Sequence, residues 1–225
     1  MISSFSMQFV FAIADFIIHI DKHLGDIIAN YGVATYAVLF SIVFAETGFV
    51  LTPFLPGDSL LFAAGAFASI GSLKIVPLFL LLWSAAFIGD TANYWLGRFL
   101  GKKMLESKYI PINDSHIEKT NAYFARYGGK TIFFAKFIPI IRTFAPFVAG
   151  VGKMPYRKFL PYNFSGGLVW VSVFTFTGYF FGNIPFIKKN FSLAVIAIIC
   201  LSVLPVAIEV VRHKLQQRHN KNLSV

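Results

Sequence analysis

Residues 134–144 read FAKFIPIIRTF, a run of Phe, Ile and Ala that carries two cations, Lys136 and Arg142, on either side of Pro139. The run is otherwise as apolar as lipid, and charge in such surroundings has to be partnered or hydrated. A chain that puts two cations and a helix breaker inside an oily segment must give them something to do.

The surrounding composition places the segment in a bilayer. Of 225 residues 56% are hydrophobic, 27 are Phe and 13% are charged, too little charge to cover a soluble surface. The formal charge of +10 then points to anionic headgroups as partners. Nucleic acid is excluded, because no solvated basic patch is interleaved with base-stacking aromatics. Cys200 stands alone, so no internal disulfide is expected. His19, His23, His116, His213 and His219 lack ligand spacing, so neither a metal nor a cofactor is expected. The N-terminus lacks the positive n-region and full apolar core of a cleaved signal.

A spanning helix needs about 20 mostly apolar residues. Residues 75–97, 159–182 and 191–211 meet that requirement. The stretch 5–29 is interrupted by Asp15, His19, Asp21, Lys22 and Asp26, and is read as an interfacial helix, with a short tilted span as the alternative. Two further stretches carry breakers near their middles: 33–70 with Pro53 and Pro56, and 130–152 with Pro139 and Pro146. Each is read as a re-entrant hairpin, a broken backbone tolerated at membrane depth only where protein or a watery cavity surrounds it. The expected fold is an all-α polytopic membrane protein, a single domain of two opposed hairpins plus transmembrane helices.

Charge bias orients this arrangement. With the loop 98–130 cytoplasmic, 14 Lys and Arg fall inside and only Lys22, Lys74, Lys188 and Lys189 outside. The basic tail 212–225 is then cytoplasmic as well. The loop holds an amphipathic helix, with Ser115 and Glu118 at capping-box spacing and Gly128 at its end.

The halves echo each other. YGVATYAVLFSIVFAE precedes one broken segment and YGGKTIFFAK the other. FAAG at 62–65 matches FVAG at 147–150, and GRFLG at 97–101 matches GYFFG at 178–182. Opposed hairpins would make this an inverted-topology repeat, an arrangement of secondary transporters. The GxxxG spacing alone carries little, since close helix packing explains it.

Glu46 and Asp58 in one half face Lys136 and Arg142 in the other, a neutral set at membrane depth. Four unpaired charges there would each cost about 2.5–3.5 kcal/mol on insertion scales, so they must meet each other or water. Static salt bridges locking the hairpins are the plainer reading, although buried pairs are a poor source of stability. Asp90, in GDTANYWLGR, is a fifth buried acid, equally suited to packing partner and to proton relay. Admitting an anion would favour proton uptake on Glu46 or Asp58. Arginine suits an anion because its planar fork holds phosphate bidentately, with Lys136 as a point charge beside it.

FAETGFVLTPFLPGDSLLFAAGAFAS, GDTANYWLGRFLG and FAKFIPIIRTFAPFVAGVGKMPYRKF together resemble the DedA family of bacterial inner-membrane proteins, over about residues 8–213. The resemblance implies two opposed hairpins and return of lipid phosphates, chiefly undecaprenyl phosphate, across the inner membrane. It also implies a role for proton-motive force, for envelope integrity and cell division, and for resistance to cationic agents. Carried over by motif, the functional acids fall on Glu46 and Asp58 and the paired basic residues on Lys136 and Arg142. Relatives typically have arginine at the first basic position. Lys136 keeps the charge but loses the bidentate geometry, which leaves Arg142 as the phosphate clamp.

The expected function is therefore a flippase for a lipid phosphate with protons as the coupling partner; moving one negative charge inward against −100 mV costs about 2.3 kcal/mol, which one proton would cancel. A proton-coupled cation or drug antiporter explains the acids but leaves the cations repelling its substrate. A passive scramblase would need no gradient. An enzyme is the weakest reading, with no histidine beside the buried bases and no nucleophile or metal set. The sequence leaves homo-oligomerisation open.

Overall fold

The computed structural model describes residues 20–49, 57–105, 128–191, 193–194 and 196–197, and every regular element among them is helical. The order is α1 (Ile20–Tyr31), a 3-10 turn (Gly32–Ala34), α2 (Thr35–Gly48), α3 (Gly57–Ser69), α4 (Ile75–Leu105), α5 (Lys130–Ala135), α6 (Pro139–Val151), α7 (Tyr156–Phe181) and α8 (Pro185–Lys189). Pro53 and Pro56, most of the expected 191–211 span, the tail 212–225 and the amphipathic helix with Ser115 and Glu118 lie outside the described residues.

Three helical stretches are long and apolar enough to cross a bilayer: 22–48, 75–100 and 156–181. The last two agree with the sequence reading. The first overlaps the end of the stretch 5–29, read as an interfacial helix or a short tilted span, and the start of the expected hairpin 33–70. Here α1 and α2 join through the 3-10 turn, where Gly32 takes the left-handed conformation (φ 51°). Gly128, at the equivalent place in the second YG motif, does the same (φ 61°). Only glycine adopts such a conformation without steric cost.

The break at Pro139 is where the sequence puts it. Ile138 is extended (φ −116°, ψ 107°) and Pro139 opens α6. The ring disfavours helical geometry in the residue before it, yet suits the first helical position, where its missing N–H is not needed. Pro146 behaves otherwise: expected as a break, it lies inside α6. A proline in a membrane helix survives where neighbouring groups satisfy the freed backbone. Close by, the carbonyl of Thr143 takes a side-chain donor from α4, Asn93 Nδ2 at 2.7 Å.

Packing crosses between the halves. The main neighbour of α3 is α7, and that of α6 is α4, while α2 lies on α4 and α5 on α7. The repeated small motifs make the crossed contacts. A Cβ on Gly65 would lie 2.0 Å from the Thr175 carbonyl oxygen, and one on Gly178 2.0 Å from that of Phe62. In the other half a Cβ on Gly97 would lie 2.1 Å from the Phe147 carbonyl oxygen, and one on Gly150 2.0 Å from that of Tyr94. FAAG thus docks on GYFFG, and FVAG on GRFLG, backbone against backbone.

This arrangement shelters α3, in which nearly every residue from Gly57 to Ala68 is buried. A helix apolar all round belongs inside a bundle. The outer surface is greasy: Val76, Leu80, Phe99, Phe134, Val173 and Phe180 are exposed. An apolar exterior around a polar centre is the pattern of a protein solvated by lipid.

Candidate functional site

Helix ends bring the charges to the middle of the bundle. Glu46 lies in the last turn of α2 and Asp58 in the first turn of α3, while Lys136 caps α5 and Arg142 lies in the first turn of α6. Asp58 and Lys136 suit the dipoles of their helices; Glu46 at a C-terminus and Arg142 at an N-terminus oppose theirs. The two that oppose are paired with each other.

Arg142 forks. Its Nη1 donates to Asp58 Oδ1 and its Nη2 to Glu46 Oε1, joining α6 to both α2 and α3. Each accepting oxygen has a second donor: the Gly57 N–H reaches Glu46 Oε1 at 3.1 Å, and the Trp170 indole N–H reaches Asp58 Oδ1 at 2.9 Å. Gly57 is required by contact, since a Cβ there would lie 2.0 Å from Glu46 Oε2. Arg142 Nε and Glu46 Oε2 have no hydrogen-bond partner among the described residues. All of these side chains are buried; Glu46 is 0% exposed and Arg142 5%.

Lys136 goes elsewhere. It forms an ion pair with Asp90 Oδ2 in the middle of α4, both side chains being buried. Its aliphatic stem runs past Gly166 of α7, where a Cβ would lie 3.3 Å from Lys136 Cγ. Both cations approach one ring. Arg142 Cζ is 4.8 Å and Lys136 Nζ 5.9 Å from the Trp170 centroid, within cation–π range.

One turn along α4 from Asp90, Asn93 donates through Nδ2 to the carbonyls of Thr47 at 3.1 Å and Thr143 at 2.7 Å. These residues directly follow Glu46 and Arg142. A single buried amide therefore ties together the two backbones that carry the central ion pair.

Of the five charges singled out in the sequence, the structure gathers Glu46, Asp58 and Arg142 into one network and sets Lys136 with Asp90 beside it. The set is not neutral, because three carboxylates meet two cations. Sequence reading missed Trp170, Asn93 and Gly57. An indole N–H inside a spanning helix was the available signal for Trp170, since such a group needs a partner that lipid does not supply.

The Lys136–Asp90 pair has a measurable consequence. Lys136→Met strips Asp90 of its cation and is expected to cost about 3 kcal/mol, the scale of a broken buried pair. Lys136→Met with Asp90→Asn removes both charges and should recover most of the loss in thermal unfolding. Additive single-mutant effects, with no coupling in the double, would show that the two do not form a pair.

The comparisons with known proteins agree with the membrane reading. A family model described as the VTT domain matches residues 55–180, a segment that holds Asp58, Asp90, Lys136, Arg142 and Trp170. The chain is 50% identical over 211 residues to Protein DedA of Escherichia coli strain K12, covering 92% of this chain and 96% of the relative. It is 37% identical over 185 residues to the uncharacterized membrane protein Rv0364 of Mycobacterium tuberculosis, covering 81% of each. It is 33% identical over 177 residues to inner membrane protein YghB of Escherichia coli strain K12, covering 78% of each. No solved structure matches the chain.

Proposed function

The chain belongs to the DedA family of VTT-domain membrane proteins, and from that premise we propose that it returns undecaprenyl phosphate, or a related lipid phosphate, across the bacterial inner membrane with protons as the coupling ion. The observation that carries this reading is the buried fork of Arg142 between Glu46 and Asp58. A guanidinium held by two carboxylates can give up one of them for a phosphate oxygen and keep the other, and Nε, without a hydrogen-bond partner among the described residues, is a further donor for the phosphate. The first turn of α6 adds the partial positive charge of a helix N-terminus at the same place.

Charge counting favours a proton partner. With every group ionised the site carries three carboxylates and two cations, one negative charge in excess. A phosphate adds at least one more, and protons on the carboxylates cancel what it adds. The same protons offset the roughly 2.3 kcal/mol that each negative charge costs to move inward against −100 mV.

In this reading residues 33–70 and 130–152 are re-entrant hairpins of an inverted repeat, entering from opposite sides, with the C-terminus cytoplasmic. The crossed docking of α3 on α7 and α6 on α4 supports it. Each hairpin would then move against the long helix of the other half, the way alternating access works in repeat-built carriers.

Uptake of undecaprenyl phosphate into sealed proteoliposomes, with and without an imposed pH gradient, tests the proposal. The gradient is expected to raise the uptake rate several-fold. Equal uptake in both conditions and both directions would make the protein a scramblase. No uptake by folded protein, with ion-dependent proton movement in its place, would make it an antiporter.

A further inference from the structure

Trp170 is not among the charged residues carried over by motif, yet it touches three of the five. Its N–H donates to Asp58 Oδ1 at 2.9 Å, and its ring lies 4.8 Å from Arg142 Cζ and 5.9 Å from Lys136 Nζ. The residue is 0% exposed, one turn along α7 from Gly166 and Gly167, which leave room for neighbours. Nothing in simple core packing calls for a tryptophan here. A leucine or phenylalanine would fill an apolar bundle without bringing an N–H that has to be satisfied.

Consider what an entering phosphate does to the network. Arg142 engages Asp58 through one terminal nitrogen and Glu46 through the other, and its Nε has no hydrogen-bond partner among the described residues. For a phosphate oxygen to reach the fork, one carboxylate has to release it. A buried carboxylate stripped of a donor is costly. Asp58 would keep the indole N–H, on the very oxygen that Arg142 leaves. Glu46 would likewise keep the Gly57 N–H. Meanwhile the indole face stays under the guanidinium, whichever anion the guanidinium holds.

We propose that Trp170 is the positioning residue of the anion site, holding Asp58 through its N–H and Arg142 against its ring while the guanidinium exchanges a carboxylate for the lipid phosphate. This rests on the lipid-phosphate reading above. It makes Trp170 a reporter, because its indole loses or gains a charged neighbour whenever the exchange occurs. Trp83 and Trp95 are the other two tryptophans in the chain.

The test uses the full chain in nanodiscs with Trp83→Phe and Trp95→Phe, so that Trp170 is the sole source of tryptophan emission. Adding undecaprenyl phosphate is expected to shift that emission saturably, with the same half-saturation as uptake by the same protein in proteoliposomes. Undecaprenol, which lacks the phosphate, should leave it unchanged. A second variant, Trp170→Phe, keeps a ring and loses the N–H. It should still fold, with a thermal midpoint lowered only modestly because Arg142 continues to hold Asp58, and raise the half-saturating lipid phosphate by about tenfold or more, the scale of one hydrogen bond to a charged group.

Uptake that persists with unchanged Trp170 emission, or a Trp170→Phe protein with wild-type half-saturation, would overturn the positioning role and leave the transport reading standing. A Trp170→Phe protein that loses uptake only in proportion to lost folded protein would also overturn it, making the residue structural. Absence of uptake by the unmutated chain would overturn both.

Discussion

Arg142→Ala is expected to abolish gradient-stimulated uptake of undecaprenyl phosphate and to destabilise the protein by at least 3–5 kcal/mol, roughly the penalty for breaking a buried ion pair. The effect should exceed that of any other single charge removal, because Arg142 serves two carboxylates at once. Without it Glu46 and Asp58 lose the cation that joins them inside the bundle, although the Gly57 N–H still reaches Glu46 and the Trp170 N–H still reaches Asp58. Arg142→Lys restores a charge but has one head for two partners, so it should recover part of the stability and little of the uptake. The two roles of the residue can be separated. Arg142→Met combined with Glu46→Gln and Asp58→Asn removes the whole network and should regain most of the thermal stability while remaining inactive. If that triple variant transports like the unmutated chain, the network is structural and the proposed anion site is wrong.

Gly65→Ala should prove almost as damaging to the fold, although it adds one methyl group and no charge. The new Cβ would sit 2.0 Å from a backbone oxygen of Thr175, and backbone cannot swing aside as a side chain can. The whole of α3 has to lift from α7, opening the core on that side and drawing Asp58 away from Trp170. Overpacking of this kind costs about 1–3 kcal/mol and more where neighbours are rigid. Gly150→Ala meets Tyr94 in the same way in the other half, and the two substitutions should lower the thermal midpoint by similar amounts. Gly167→Ala is the control: its nearest neighbour is a Trp83 ring atom at 3.8 Å, so alanine fits and its helix propensity makes the change neutral or mildly favourable. Equal stability of all three variants would mean that the crossed docking of the halves is not as described.

The glycines also explain a pattern that was visible in the sequence without its meaning. FAAG and FVAG, GRFLG and GYFFG read as internal echoes. The structure gives them a shared purpose, since each short motif is the seat for the long-helix motif of the opposite half. Small residues let two backbones approach, and a repeat that packs across a pseudo-symmetric interface has to carry that allowance twice.

Other features were legible because their causes are local. Hydropathy summed over about twenty residues marked 75–97 and 159–182 as spans, and α4 and α7 occupy them. Pro139 marked a break because its ring constrains the residue before it, an effect that acts across one peptide bond. Pro146 was misjudged for the complementary reason. Whether a proline ends a membrane helix depends on what surrounds the freed backbone, and that is not a local property. The extent of the first helical stretch was not legible either, since a left-handed turn at Gly32 lets two modest helices add up to one long stretch.

By itself the sequence determined that this chain lives in a bilayer and that at least four of its charges must be buried there. Composition and the cost of unpaired charge in lipid leave no alternative. It also determined which residue types stand ready to hold an anion. Only the tertiary structure decided the pairing. Two acids converge on Arg142, and Asp90 takes Lys136 away from them, because α4 packs on α6 while α3 is seated on α7. Trp170 enters the site for the same reason. Partners in a buried network are chosen by which helices touch, and helices that touch here are held together by glycine contacts between segments far apart in the chain.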